Sequence, residues 1–213
     1  MKANQTKIIE TISNTRIIPV IKLEETEKTD KLAGALARGN LPIAEVTFRA
    51  SGADKVISRI KENHPEILVG AGTVLDVKQA ELALGAGADF IVAPGLNEDV
   101  VNYVKSKNIL MIPGCMTPSE IEKGISLGLD ILKFFPAEQA GGISILKAFA
   151  APYQNVKFIP TGGINVDNML SYLELESVLA VGGSWMVKEK LIATDNFEGI
   201  TELCSSAVKK IEL

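Results

Sequence analysis

The sequence is poor in the side chains that most hydrolytic and metal-dependent enzymes rely on. Its 213 residues hold a single histidine, His64, and two cysteines, Cys115 and Cys204. One imidazole excludes a zinc or non-haem iron centre built on two or three histidines. A Ser-His-Asp or Cys-His machine survives only if His64 itself is the base. Two cysteines make no disulfide framework, and buried, reduced thiols in a cytoplasmic protein are the expectation. Basic residues show no excess: 22 Lys and Arg stand against 26 Asp and Glu, so no surplus of positive charge exists to neutralise phosphates and no nucleic-acid partner is expected. No apolar run reaches the roughly 18 residues of a membrane span. The segment Met1 to Arg16 is polar and helix-like, without the apolar core of a signal peptide. Neither membrane nor secretion is expected. Whatever chemistry the chain performs must rest on Lys, Glu, Arg and backbone amides.

What is present is a rhythm. Short β-rich segments recur at Ile17–Ile21, Ile43–Phe48, Ile67–Gly70, Asp89–Ala93, Ile109–Pro113, Ile131–Phe135, Val156–Thr161 and Val178–Gly182, with starts separated by 26, 24, 22, 20, 22, 25 and 22 residues. That spacing is one strand, one helix and two short loops. Amphipathic stretches such as Lys78–Leu84 and Glu98–Lys107 lie between them. Thr117-Pro118-Ser119-Glu120 has the form of a capping box with proline at the first helical position, and Asp76 with Gln79 is a weaker version. Crossover helices force the strands to run parallel. Eight such units predict one α/β domain over 1–213, a (β/α)₈ TIM barrel with a short N-terminal helix. An open doubly wound sheet is the alternative.

In that architecture the C-terminal ends of the strands carry function and the opposite face carries stability. His64, in Glu62-Asn63-His64-Pro65 before strand three, falls on the stability face and reads as a solvated loop residue. Strand two places Glu45, Thr47 and Arg49 on one face and Ala44, Val46 and Phe48 on the other. The apolar set must meet the helices, so the polar set points inward. A buried Glu and Arg are costly unless paired or functional, and a structural Glu45–Arg49 ion pair is the plain alternative. Strand six sets Lys133 inside an apolar run, Ile131-Leu132-Lys133-Phe134-Phe135-Pro136. Burial disfavours the charged ammonium, and a neutral amine attacks ketones and aldehydes to give a Schiff base; a snorkelling lysine is the alternative. Lys147 and Lys157 sit in contexts that look solvated. Glycine turns follow strands seven and eight, Thr161-Gly162-Gly163-Ile164 and Gly182-Gly183-Ser184-Trp185. Those two loops are where barrels commonly hold phosphate, because glycine lets backbone N–H groups approach an anion and Ser184 adds a hydroxyl. Thr73 could donate to a carboxylate, and Pro94 and Phe135 could wall a pocket. Lys22 could reach the mouth or be solvated. Cys115 reads as a buried bystander.

Glu45-Val46-Thr47-Phe48-Arg49, Gly70-Ala71-Gly72-Thr73-Val74, Leu132-Lys133-Phe134-Phe135-Pro136-Ala137-Glu138, Pro160-Thr161-Gly162-Gly163-Ile164 and Gly182-Gly183-Ser184-Trp185 together resemble the 2-keto-3-deoxy-6-phosphogluconate (KDPG) and 4-hydroxy-2-oxoglutarate (KHG) aldolase family. The likeness spans nearly the whole chain. It implies a class I aldolase, free of metal and cofactor, assembled as a homotrimer, acting on a keto-acid sugar phosphate and releasing pyruvate. By motif it implies that Lys133 forms the Schiff base and Glu45 is the general acid and base. It places Arg49 and Thr73 on the pyruvate carboxylate, Pro94 and Phe135 in the pocket, and Thr161, Gly162, Gly163, Gly183 and Ser184 around the phosphate. A galactonate-derived epimer as substrate, a sugar-phosphate barrel enzyme without covalent chemistry, and a non-catalytic barrel scaffold remain the competing readings at the level of sequence.

Overall fold

The computed structural model describes residues 2–212, with side chains from residue 5 onward; Met1 and Leu213, the ends of the expected 1–213 domain, lie outside the described residues. The chain runs α1 (Lys2–Thr15), β1 (Ile17–Ile21), a 3-10 turn (Thr26–Lys28), α2 (Thr29–Arg38), β2 (Ile43–Thr47), α3 (Ala53–Asn63), β3 (Leu68–Gly72), α4 (Val77–Gly85), β4 (Phe90–Val92) and α5 (Glu98–Ser106). It continues through β5 (Leu110–Ile112), β6 (Gly114–Cys115), α6 (Pro118–Ser126), β7 (Ile131–Phe134), α7 (Gly142–Ala150), β8 (Lys157–Pro160), α8 (Met169–Leu173), β9 (Val181–Gly183), α9 (Glu189–Ala193) and α10 (Phe197–Glu212).

All strand pairs are parallel. The strands are short and buried on both faces, which is why they read as near-continuous apolar runs. Helices on the outside bury one stripe each. In α3 these are Val56, Ile57 and Ile60, and in α5 Val100, Val101 and Val104. The last turns explain the even spacing of the units. Residues Asn40, Gly87, Asn108 and Gly128 each adopt a left-handed φ just past a helix. The next residue, apolar every time, donates back five residues: Leu41 to Leu36, Ala88 to Ala83, Ile109 to Val104 and Leu129 to Gly124. Glycine and asparagine are the residues that tolerate this stop, which turns the chain sharply into the following strand. The capping box of α6 forms as expected: Thr117 Oγ1 accepts from Glu120 N–H while the Glu120 carboxylate takes the Thr117 N–H. Asp76 Oδ1 accepts from Gln79 N–H at 2.8 Å.

The sheet departs from the expected eight uninterrupted strands. The ladder divides into a six-stranded sheet, order β5-β4-β3-β2-β1-β9, and a three-stranded sheet, order β6-β7-β8. The division falls at Pro113, between β5 and β6. Proline has no N–H to give to a ladder, although its carbonyl still accepts from Lys133 N–H at 2.9 Å. Between β8 and β9 the contact is reduced to single bridges, Phe158 with Val178 and Thr161 with Gly182. The result is an α/β fold with a parallel half-barrel sheet. β2 also stops sooner than its polar alternation suggested, at Thr47, so Arg49 sits on the following turn and is exposed.

At the opposite face α1 buries Ile8 and Ile12 near the N-terminal end of β3. His64 ends α3 there as expected. It is half-buried rather than solvated, with Nε2 3.3 Å from Asp30 Oδ1 and Nδ1 3.6 Å from Glu66 Oε1. Among the described residues no helix is long and apolar enough to cross a membrane.

Candidate active site

The C-terminal ends of the strands enclose a cavity of about 490 Å³. Its floor carries two opposite charges. Glu45 comes from the middle of β2 and Lys133 from β7, with side chains only 4% and 6% exposed. Lys133 Nζ donates to Glu45 Oε1 at 3.2 Å. The nitrogen also lies 5.3 Å from the Phe135 ring centroid, within reach of its π face. Strand parity places the pair. Leu132 and Phe134 point from β7 into the packed helix layer and are fully buried, leaving Lys133 on the inner face. Burying an ion pair is seldom a net gain for stability, since desolvation offsets much of the attraction. A pair of this kind on the floor of a cavity is better explained by chemistry.

Room for the carboxylate comes from β3. A Cβ at Gly72 would stand 2.6 Å from Glu45 Cγ and 2.8 Å from Cδ, and would overlap Oε1. Gly72 pairs in register with Thr47. Thr47 faces inward with Glu45 but donates to Ile21 O at 2.8 Å, a bond that ties β2 to β1.

Around the pair, Arg49, Thr73, Pro94 and Phe135 all line the cavity. Thr73 holds a left-handed φ of 57°, unusual for a threonine, at the turn that leaves β3. The alternative reading of strand two, a structural Glu45–Arg49 ion pair, is not what forms: Lys133 takes the Glu45 carboxylate, because Arg49 lies beyond the strand end. Arg49 instead offers its guanidinium from the rim.

The other end of the cavity is neutral and built of backbone. Thr161, Gly162, Gly163, Gly183 and Ser184 meet there. Gly162 and Gly163 take φ of +101° and +78°, which a side chain would resist. The carbonyls of this turn are occupied by protein donors: Thr161 O by Ala137 N–H at 2.8 Å, Gly162 O by Glu138 N–H at 3.1 Å, and Gly163 O by Asn168 Nδ2 at 3.1 Å. The N–H groups of Gly163 and Ile164 find no acceptor among the described residues. A turn with carbonyls spoken for and N–H groups free has donors, and no competing acceptors, to offer an anion.

Every site residue expected from the sequence therefore lines one cavity. Val20, Leu75 and Ile164 complete its wall and were not anticipated; they are apolar residues near strand ends, with no local signal that separates them from core. Lys22 does not line the cavity and pairs with Glu24 at 3.4 Å and Glu189 at 3.7 Å. Lys147 and Lys157 are exposed. Lys28 was missed as a second buried lysine; its Nζ is engaged by Ile192 O at 3.0 Å, Ala193 O at 3.2 Å and Glu25 at 2.9 Å. Cys115 is buried, and burial, then the Glu120 charge, pushes its thiol up to about 12, so it is no nucleophile at neutral pH.

A buried amine beside a carboxylate at the strand ends of a parallel α/β sheet defines an enzyme working through a lysine. The comparisons with known proteins sharpen that class. A family model described as "KDPG and KHG aldolase" matches residues 8–203. A 2-dehydro-3-deoxy-phosphogluconate aldolase of Treponema pallidum is 42% identical over 202 residues, covering 95% of this chain and 96% of its own. A KHG/KDPG aldolase of Escherichia coli is 39% identical over 213 residues and the full length of both chains. The KDPG aldolase of Legionella pneumophila, solved with pyruvate captured as a covalent carbinolamine, superposes with a TM-score of 0.91 at 40% identity, covering 93% of this chain and 97% of its own. The chain belongs to the KDPG and KHG aldolase family.

Proposed function

We propose that the protein is a class I aldolase that cleaves KDPG to pyruvate and D-glyceraldehyde 3-phosphate, with 4-hydroxy-2-oxoglutarate, giving pyruvate and glyoxylate, as a second substrate. The observation that carries this reading is the buried Lys133–Glu45 contact of 3.2 Å in a cavity whose far end offers free backbone N–H groups. Glu45 is within hydrogen-bond reach to take the proton that the ammonium must lose before it can attack. Lys133 Nζ then adds to the C2 carbonyl to give a carbinolamine, and Glu45 hands the proton it took to the carbinolamine hydroxyl, which leaves as water; an iminium remains and Glu45 is a carboxylate again. That cation accepts the electron pair of the C3–C4 bond as the C4 hydroxyl gives up its proton to Glu45, releasing the aldehyde. Glu45 returns a proton to C3 of the enamine, and water frees pyruvate and the amine. Arg49 and Thr73 are the donors for the keto-acid carboxylate, Pro94 and Phe135 the walls. Thr161, Gly162, Gly163, Gly183 and Ser184 receive the phosphate. A purely non-covalent sugar-phosphate enzyme would leave the buried lysine without a task.

The test is borohydride reduction in the presence of pyruvate. A pyruvate mass on Lys133, absent from Lys133→Met, is expected; labelling elsewhere, or none, removes the Schiff-base reading.

Three further readings accompany this one. Counting β5 and β6 as one strand broken at Pro113, with the bridges at Phe158 and Thr161 joining β8 to β9, supports a closed eight-stranded (β/α)₈ barrel in one domain. Two free cysteines support a reducing, cytoplasmic setting. The family membership supports a homotrimer, which sedimentation equilibrium would test.

A further inference from the structure

The lysine strand runs on into Pro136-Ala137-Glu138. Glu138 does not line the cavity, yet it touches the turn that does. Its N–H holds Gly162 O. Its stem occupies the place that a side chain at position 163 would need: a Cβ there would lie 2.5 Å from Glu138 Cγ and 2.6 Å from Glu138 Cβ. The Glu138 carboxylate is exposed on one side and could swing free into water. It is held instead from behind, where the Tyr172 hydroxyl donates to Glu138 Oε1. Tyr172 is fully buried on α8. Gly142 leaves space for its hydroxyl, since a Cβ there would stand 2.9 Å from Tyr172 Oη and 3.3 Å from Glu138 Oε1. Burial, then the neighbouring carboxylate, raises the Tyr172 phenol further above its ordinary range, so it stays a donor. The same short helix is reached from Gly163 through Asn168, whose amide holds Gly163 O. The turn is thus gripped from both sides by one connected unit.

We propose that the Tyr172–Glu138 hydrogen bond is a brace that keeps the Thr161–Gly163 turn in its anion-receiving shape, which makes Tyr172 and Glu138 positioning residues for the phosphate end of the substrate. The brace rests on the aldolase reading above, and its effect is confined to the half of the cavity away from Lys133. Loosening the Glu138 stem frees the glycine turn, since glycine passes between φ values at little cost, and the Gly163 and Ile164 N–H groups lose their fixed placement.

The experiment compares a reaction that uses the phosphate end with one that does not. Steady-state cleavage of KDPG is measured beside the concentration dependence of borohydride trapping with pyruvate, for wild type, Tyr172→Phe, Glu138→Ala and Glu138→Gln. Tyr172→Phe and Glu138→Ala are expected to raise KM for KDPG about three- to ten-fold, the weight of one hydrogen bond, with kcat within about two-fold. Pyruvate half-saturation is expected to stay at the wild-type value. Glu138→Gln keeps an acceptor for the phenol and is expected to recover most of the affinity lost in Glu138→Ala. Equal losses in KDPG cleavage and pyruvate trapping would show a merely structural role and overturn the brace, as would unchanged KM in both variants or Gln as harmful as Ala. Wild type that neither traps pyruvate nor cleaves KDPG would overturn the aldolase reading itself, and the brace with it.

Discussion

Gly72→Ala is a one-carbon perturbation aimed at Glu45. Gly72 has an ordinary backbone φ, so alanine meets no conformational penalty there; the whole effect is the contact. The added methyl would lie 2.6 and 2.8 Å from Glu45 Cγ and Cδ, where carbon pairs settle at about 3.5–4.0 Å. Relief needs a movement of about 1 Å. The backbone of β3 is bound in register to β2 over five residue pairs, Ile43 with Leu68 through Thr47 with Gly72, so the side chain is the softer element. Glu45 would rotate away and lose its 3.2 Å contact with Lys133. A misplacement of about 1 Å in a reacting group costs on the order of 10²-fold in rate, about 2.7 kcal/mol of barrier. Residual crowding would destabilise the fold by about 1–3 kcal/mol, a fall in Tm of a few degrees up to about 10 °C. Three readouts separate these effects: borohydride trapping of pyruvate, exchange of the pyruvate methyl protons into D₂O, and KDPG cleavage. Trapping is expected to persist while exchange and cleavage both fall about a hundred-fold. Gly70→Ala is the control, because a Cβ there meets the buried Phe90 ring instead, and it should lower Tm without that selective loss. Wild-type exchange in Gly72→Ala would refute the placement of Glu45 as the proton carrier.

Glu45→Gln should still take pyruvate onto Lys133 but turn over KDPG slower by about 10²–10⁴-fold, the usual weight of a general acid or base; wild-type turnover would remove Glu45 from its role. Cys115 and Cys204 are buried, and burial pushes both thiols up to about 12, so iodoacetamide at pH 8 should leave the native protein unlabelled and modify two thiols in denaturant. Fast labelling of the folded protein would contradict their burial. Asp30 is held down at about 2 by the Arg59 hydrogen bond, with Asn63 assisting. Its folded value lies below the unfolded one of about 4, so its contribution is present above about pH 4 and is lost as pH falls through about 2. Arg59→Met should reduce the fall in Tm over that window, and an identical acid profile would refute the coupling. Thr117→Ala removes the α6 cap and should cost about 1 kcal/mol, or roughly 2–4 °C in Tm.

The repeat of about 25 residues made the parallel α/β order legible, because each strand–helix unit carries its own stop signal. Strand ends were harder. Polar alternation ran on to Arg49, but the ladder ends at Thr47, since the last hydrogen bonds depend on where β1 and β3 stop. The break at Pro113 was visible as a proline; that it divides the sheet depends on what neighbours each side. Lys28 was unreadable as a buried lysine, because its acceptors come from Ile192 and Ala193, far along the chain.

By itself the sequence determined that imidazole and metal–histidine chemistry had no material to work with. It also determined that a lysine stood where only apolar side chains were called for. Strand parity, a local property, was enough to aim Lys133 and Glu45 inward. Only the tertiary structure decided that the two meet, 88 positions apart, at hydrogen-bond distance. It alone decided that Lys133 rather than Arg49 neutralises the buried carboxylate, and that Gly72 makes the room. Which groups touch across a sheet depends on the register of strands distant in sequence, and no single segment encodes that register.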